Sequence, residues 1–209
     1  MPPHPVLGTF CAMLQARLYL DYVDPGSLVV DRRMEALARE GELVVHRLPF
    51  EIRRPPQALV DPTSAAWSSY WAQMADEARR EGLKLRPPDL IPWTRKAHEL
   101  ALQAMERGRF DEVHRALFQA FLSEGRDLGR VDVLVEVAQG CGLDAGETKV
   151  ALDVDRHAAD LDRIRAEGEA SGVRGVPTLV VGGRLLEGVH PRRVVEAFLD
   201  KEAFLDKRD

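Results

Sequence analysis

The sequence predicts an α/β fold in which a β-α-β unit at one end and a helix-β-β-α unit at the other enclose an all-helical block. Three observations carry this. Apolar residues alternate with period two from Ala16 to Val23; helical periodicity recurs four times, with no strand pattern, from about Ala65 to Cys141; and an apolar run Val176-Pro-Thr-Leu-Val-Val181 closes on Gly182-Gly183.

In the first unit, Leu18, Leu20 and Tyr22 face one way and Arg17, Tyr19 and Asp21 the other, as in a β-strand. The strand ends at Asp24-Pro25-Gly26-Ser27. From there to Glu40, Leu28, Val29, Met34, Leu37 and Ala38 recur at helical spacing, with Gly41 placed as a C′ residue. Leu43 to Phe50 reads as a second strand, and a right-handed crossover makes the two strands parallel neighbours.

Composition then changes. Asp61-Pro-Thr-Ser64 starts a helix to about Glu81, with Trp67, Tyr70, Trp71, Met74 and Ala78 as an apolar stripe on one side. Further helices are expected over Trp93–Glu106, Arg109–Ser123 and Val131–Cys141, and one long helix from Thr148 to about Ser171 leads to Gly172. The Val176–Val181 strand turns back through Gly182-Gly183, and Pro191 to about Leu199 is again helical. This order places a discontinuous α/β domain at 1–60 and 148–209 around an inserted helical domain at 61–147.

A chain of 209 residues can bury a full core without staples. Its 45% hydrophobic and 30% charged composition and net charge of −5 argue against nucleic acid as a partner. No run approaches the ~18 apolar residues of a membrane span, and Met1-Pro-Pro-His-Pro5 lacks the basic start of a signal peptide. We therefore expect a cytoplasmic protein with no membrane partner. Cys11 and Cys141 have neither metal nor redox spacing and are expected to be free, buried thiols. The histidines show no helical two-histidine spacing beside a carboxylate, so no metal is expected. Scarce lysine and absent asparagine lean toward a thermophilic source.

The chain resembles the DsbA-like thioredoxin superfamily, in particular its FrnE-like branch, near the 2-hydroxychromene-2-carboxylate isomerases and kappa-class glutathione transferases. The resemblance runs from about Leu18 to Leu199. It rests on Tyr19-Leu-Asp-Tyr22, on Trp71-Ala-Gln-Met-Ala-Asp-Glu-Ala78 followed by Gly82-Leu83, on Ala97-His-Glu-Leu-Ala101 through Phe110, on His114-Arg-Ala-Leu-Phe-Gln-Ala-Phe121 and on Gly175-Val-Pro-Thr178. It implies a thioredoxin fold with a large all-helical insertion. It also implies a cis Val176-Pro177 bond, whose loop receives an extended peptide or the backbone of glutathione.

The departure lies at the strand-to-helix turn. The oxidoreductases carry Cys-x-x-Cys there, the first thiolate being stabilised by the helix N-terminus; this chain carries Asp24-Pro25-Gly26-Ser27. The isomerase and kappa-transferase relatives place a serine first, facing the glutathione sulfur. Here the first position is an acid, and only Ser27 offers a hydroxyl.

Two readings of Asp24 stay open. As an N-cap with Pro25 at N1 it contributes ~1 kcal/mol of helix stability. As a general base it is a catalytic residue, with Ser27 donating a hydrogen bond toward Val176 and Pro177. In the second reading the ligand site comprises Pro25, Gly26, Val176 and Pro177, roofed by Trp67 and Trp71. The expected ligand is a thiol-bearing or small aromatic molecule, with glutathione or another low-molecular-weight thiol as the candidate cofactor. The competing functions are a glutathione-dependent isomerase or transferase of the hydroxychromene-carboxylate or kappa type, as the resemblance implies, and a non-catalytic module that captures an extended peptide or partner on the same loop.

Overall fold

The structure is a computed structural model and describes residues 13–41 and 43–206, with side chains to 201. Four strands form one sheet in the order β2-β1-β3-β4. Strand β1 (Leu14–Leu20) pairs in parallel with β2 (Leu43–Pro49), Leu18 facing Arg47, and antiparallel with β3 (Thr178–Val181), Tyr19 facing Thr178. Strand β4 (Arg184–Glu187) completes a two-residue hairpin with β3. Both turn residues, Gly182 and Gly183, have positive φ, which any side chain would resist.

Helix α1 (Pro25–Glu40) forms the crossover from β1 to β2. Five helices follow β2: α2 (Ala65–Arg80), α3 (Arg95–Glu106), α4 (Phe110–Leu122), α5 (Val131–Gly140) and α6 (Ala145–Asp153). Then α7 (Ala158–Ala170) leads into β3, and α8 (Arg192–Asp206) ends the described chain. None of the described helices is long and apolar enough to cross a membrane.

The alternation read in β1 has a physical cause: the strand is covered on both faces. Ala16, Leu18 and Leu20 enter the main core with Met34 and Leu37 of α1 and much of the helical block. Tyr19 points the opposite way, into a smaller cluster with Phe50, Ile164, Val173 and Val180. Helix α7 lies closely on that ring at Gly168, where an added Cβ would stand 2.7 Å from Tyr19 Cε1.

Two expectations are corrected. Gly41 ends α1 in an extended conformation open to any residue, its N–H donating to the Leu37 carbonyl, so no left-handed cap is formed. The helix expected from Thr148 to Ser171 is two helices, broken across 154–157, with Asp155 at φ 53°. Asp155 in the left-handed region closes α6, the Arg156 N–H donating back to the Ala151 carbonyl at 3.1 Å. The Lys96 ammonium of α3 donates to the Leu152 carbonyl and to Asp155 Oδ1 at 2.6 Å, joining the break to α3.

Arg33 of α1 fixes the orientation of α2. This nearly buried guanidinium donates to Glu81 Oε1 at 2.7 Å and Glu77 Oε2 at 2.6 Å, both near the end of α2, and to the His190 carbonyl at 2.7 Å. A rigid planar fork suits three such partners at once. The result holds the N-terminal half of α2 over the start of α1.

Candidate active site

Asp24 occupies the N-cap of α1, with extended backbone (φ −95°, ψ 114°) and Pro25 at the first helical position. Its side chain is almost wholly buried. Oδ2 accepts two hydrogen bonds from Ser27, from the backbone N–H and from the hydroxyl, each at 2.6 Å. Oδ1 accepts from the Tyr70 hydroxyl of α2 at 2.7 Å. The cap reading of Asp24 thus describes half of its carboxylate, and the other half is engaged from the helical block.

Burial pushes the Asp24 carboxyl up to about 6, against the Ser27 and Tyr70 bonds that favour the anion; the charge of Asp21 adds to the rise. Tyr70 is held neutral, its hydroxyl pushed well above the usual phenol range by burial and by the Asp24 carboxylate beside it. Asp21 stands behind the turn. Its N–H donates to Ser27 Oγ at 3.2 Å, its Oδ2 accepts from the Ile52 N–H at 2.7 Å, and its Oδ1 lies 3.2 Å from His98 Nε2.

Gly26 is required by this arrangement. A Cβ there would collide with the Tyr70 hydroxyl and would lie 3.3 Å from Pro177 Cδ. Only a bare backbone lets α2 reach Asp24 and lets the Val176–Pro177 loop close on the turn. The Val176–Pro177 peptide is cis. Across it opens a cleft of about 280 Å³ lined by Asp24, Tyr70, Trp67, Met74, Pro177 and Val189, with Ile52, Gln73, Val176 and Gly188 completing the wall. Apolar walls with a few converging polar groups are the usual make-up of a small-molecule site.

Asp24, the Val176–Pro177 loop and Trp67 come together around this cleft, and three residues take other places. Trp71 is buried in the core and does not line the cleft. One residue is a rotation of about 100° on a helix, so the face carrying Trp67, Tyr70 and Met74 turns Trp71 inward. Ser27 is fully buried and donates its hydroxyl hydrogen bond to Asp24, so its hydroxyl is no donor to the cleft. Pro25 is buried in the first turn of α1, away from the lining. Tyr70, which bonds to Asp24, belongs to the apolar stripe but is not among the site residues expected from the sequence. Cys141 is a free, half-buried thiol at the end of α5, and burial raises its pKa. Cys11 lies outside the described residues.

A four-stranded sheet of this order, with the site between the start of α1 and a proline loop before β3, defines a thioredoxin-type protein. Residues 16–200 match the DSBA-like thioredoxin domain family, and the chain belongs to that family. It is 28% identical over 192 residues to the uncharacterized protein YwbO of Bacillus subtilis (strain 168), covering 89% of this chain and 96% of that protein. Among solved structures, a probable DsbA oxidoreductase from Streptomyces coelicolor superposes with a TM-score of 0.79 at 27% identity, covering 91% of this chain and 90% of that one. A 2-hydroxychromene-2-carboxylate isomerase superposes with a TM-score of 0.76 at 16% identity, covering 93% and 97%, a likeness of fold.

Proposed function

We propose that this DsbA-like protein performs no dithiol exchange at the α1 turn and uses Asp24 there as an acid–base group toward a thiol-bearing or small aromatic molecule in the cleft beside Pro177. The observation that carries this reading is the buried Asp24 carboxyl, raised to about 6 and facing an apolar cleft through Tyr70. A carboxyl poised near neutrality can both take and return a proton, which a plain helix cap has no need to do. Glutathione, or another low-molecular-weight thiol, is the cofactor we assign to this reading. A thiol proton transferred toward Asp24 would leave the thiolate at the positive end of α1, where the helix N-terminus favours it.

The extended-peptide reading keeps one observation in its favour. Val176 stands just before the β1–β3 ladder, and among the described residues no hydrogen bond engages its backbone N–H or C=O. Such groups could pair with a visiting strand. The raised acid at Asp24 favours the small-molecule reading over it, because peptide capture along a backbone makes no use of a titrating carboxyl.

The test is an amide-resolved NMR titration with glutathione and, separately, with phenol. The reading predicts saturable shifts confined to Val176, Thr178, Gly188 and Val189 and the Trp67 indole, weakened in Asp24→Ala. Shifts elsewhere, or none with either compound, would contradict it.

A further inference from the structure

The Asp24 carboxylate is almost without exposure, and its two oxygens have unequal surroundings. Oδ2 already receives two donors from Ser27, whereas Oδ1 receives only the Tyr70 hydroxyl. Tyr70 is half-buried and lines the cleft. A ligand therefore meets the tyrosine oxygen before it meets the acid.

We propose that Tyr70 is the specificity-determining residue of the cleft, relaying the protonation state of Asp24 as a reversible hydrogen bond that asks the ligand for a donor when Asp24 is ionised and for an acceptor when it is protonated. This rests on the proposed function for the identity of the ligand, and on geometry alone for the relay. A phenol has one proton to give. While Asp24 is ionised the Tyr70 hydroxyl donates it to Oδ1 as a hydrogen bond, and Tyr70 can only accept from the cleft. On protonation Oδ1, which faces one donor against the two on Oδ2, is the favoured seat of the acid hydrogen, and from there it donates to the Tyr70 oxygen. The tyrosine proton is then released toward the cleft. No atom moves by more than a hydroxyl rotation.

The groups facing this pair are few. On the α1 side Ser27 donates to Asp24, and the Gly26 backbone N–H acts on the Tyr70 oxygen. From the end of β1, Asp21 opposes ionisation of Asp24, with His98 of α3 on its far side. From α2 itself the nearest ring is Trp67, centroid to centroid 5.7 Å from Tyr70. The proline loop and Val189 add only apolar contacts near Gly26. With Asp24 the titrating partner in hydrogen-bond contact with Tyr70, the relay follows that one carboxyl.

The chain contains three tyrosines, so ¹³Cζ-tyrosine labelling gives three resonances, and Tyr70→Phe assigns the one of interest. In the unliganded protein the Tyr70 resonance should move between pH 4 and pH 8 (roughly the span around a carboxyl raised in this way) with the midpoint of the Asp24 carboxyl. In Asp24→Asn the amide oxygen takes the Ser27 donors and the amide N–H₂ faces Tyr70, so the resonance should stay at its low-pH position throughout. A Tyr70 resonance that stays fixed while Asp24 titrates would overturn the relay. The ligand arm compares phenol, a donor, with acetophenone, an acceptor, at the high end of that range. Wild type should prefer phenol by roughly five- to tenfold, as for one hydrogen bond, and Asp24→Asn and Tyr70→Phe should each lose that preference, since phenol can accept as acetophenone does. The same preference in wild type and Asp24→Asn would overturn the specificity role. Failure of both compounds to bind any variant would instead refute the proposed ligand class, with the relay decided by the resonance.

Discussion

Gly26 and Tyr70 are in contact because residue 26 has no side chain: a Cβ there would occupy the space of the Tyr70 hydroxyl. The two lie 44 positions apart, one in the first turn of α1 and one in the helical block, and their contact delivers the third hydrogen bond to Asp24. Gly26→Ala should therefore displace the hydroxyl. Since that bond helps to keep the Asp24 carboxyl down, losing it should raise the carboxyl above about 6. Carboxyl ¹³C titration of Asp24 in the variant checks this, and an unchanged midpoint would show that Tyr70 does not govern the acid.

The raised Asp24 carboxyl also sets the sign of a stability change with pH. A folded-state value of about 6 against 3.8 means that the folded protein holds this proton more tightly than the unfolded chain does. The associated stability is fully present below about pH 4 and is lost as pH rises through about 6, by an amount on the order of 3 kcal/mol. Asp24→Asn carries no such penalty. Urea denaturation of both proteins at several pH values should show the variant gaining on wild type across that window and then levelling. Buried Asp31 shifts the opposite way, held down by His114 and by Arg47 at 2.5 Å, so its contribution is lost only in more acidic solution. A stability difference flat with pH would contradict the assignment.

Packing on the other face of the sheet gives an independent check. In Gly168→Ala the new methyl would stand 2.7 Å from Tyr19 Cε1, a ring buried between α7 and β1. The gain in helix propensity is about 1 kcal/mol, and overpacking typically costs 1–3 kcal/mol. We expect a net loss of roughly 1 kcal/mol by urea denaturation. A stabilised variant would mean that α7 can lift from Tyr19 at no cost.

These relationships mark where the sequence can be read directly and where it cannot. The two faces of β1, the Gly182-Gly183 hairpin and the Asp24-Pro25 helix start each depend on residues within a few positions of one another, and their patterns are explicit. The Gly26–Tyr70 contact depends on α2 lying over α1, which Arg33 secures through Glu77 and Glu81 from more than forty positions away. Nothing local to Tyr70 distinguishes it from Trp71; a single helical step sends one to the cleft and the other to the core. Ser27 looks like a free hydroxyl donor until its partner is known. The break after α6 carries no glycine or proline; it turns on Asp155 in the left-handed region, held by Lys96 from a different helix.

The proposed function sets the site at the start of α1, as a thioredoxin-type turn that carries Asp24 and Ser27 in place of sulfurs. The most direct measurement restores the sulfurs, as Asp24→Cys with Ser27→Cys, in a Tyr70→Phe background that removes the hydroxyl lying over position 24. The N-terminal N–H groups and dipole of α1 remain, and Pro177 still faces the turn. The first cysteine should show a pKa, by pH-dependent alkylation, below the free value of ~8.5, together with turnover in a disulfide-reduction assay. An ordinary thiol pKa and no turnover, in a protein that circular dichroism shows to be folded, would contradict that placement of the site.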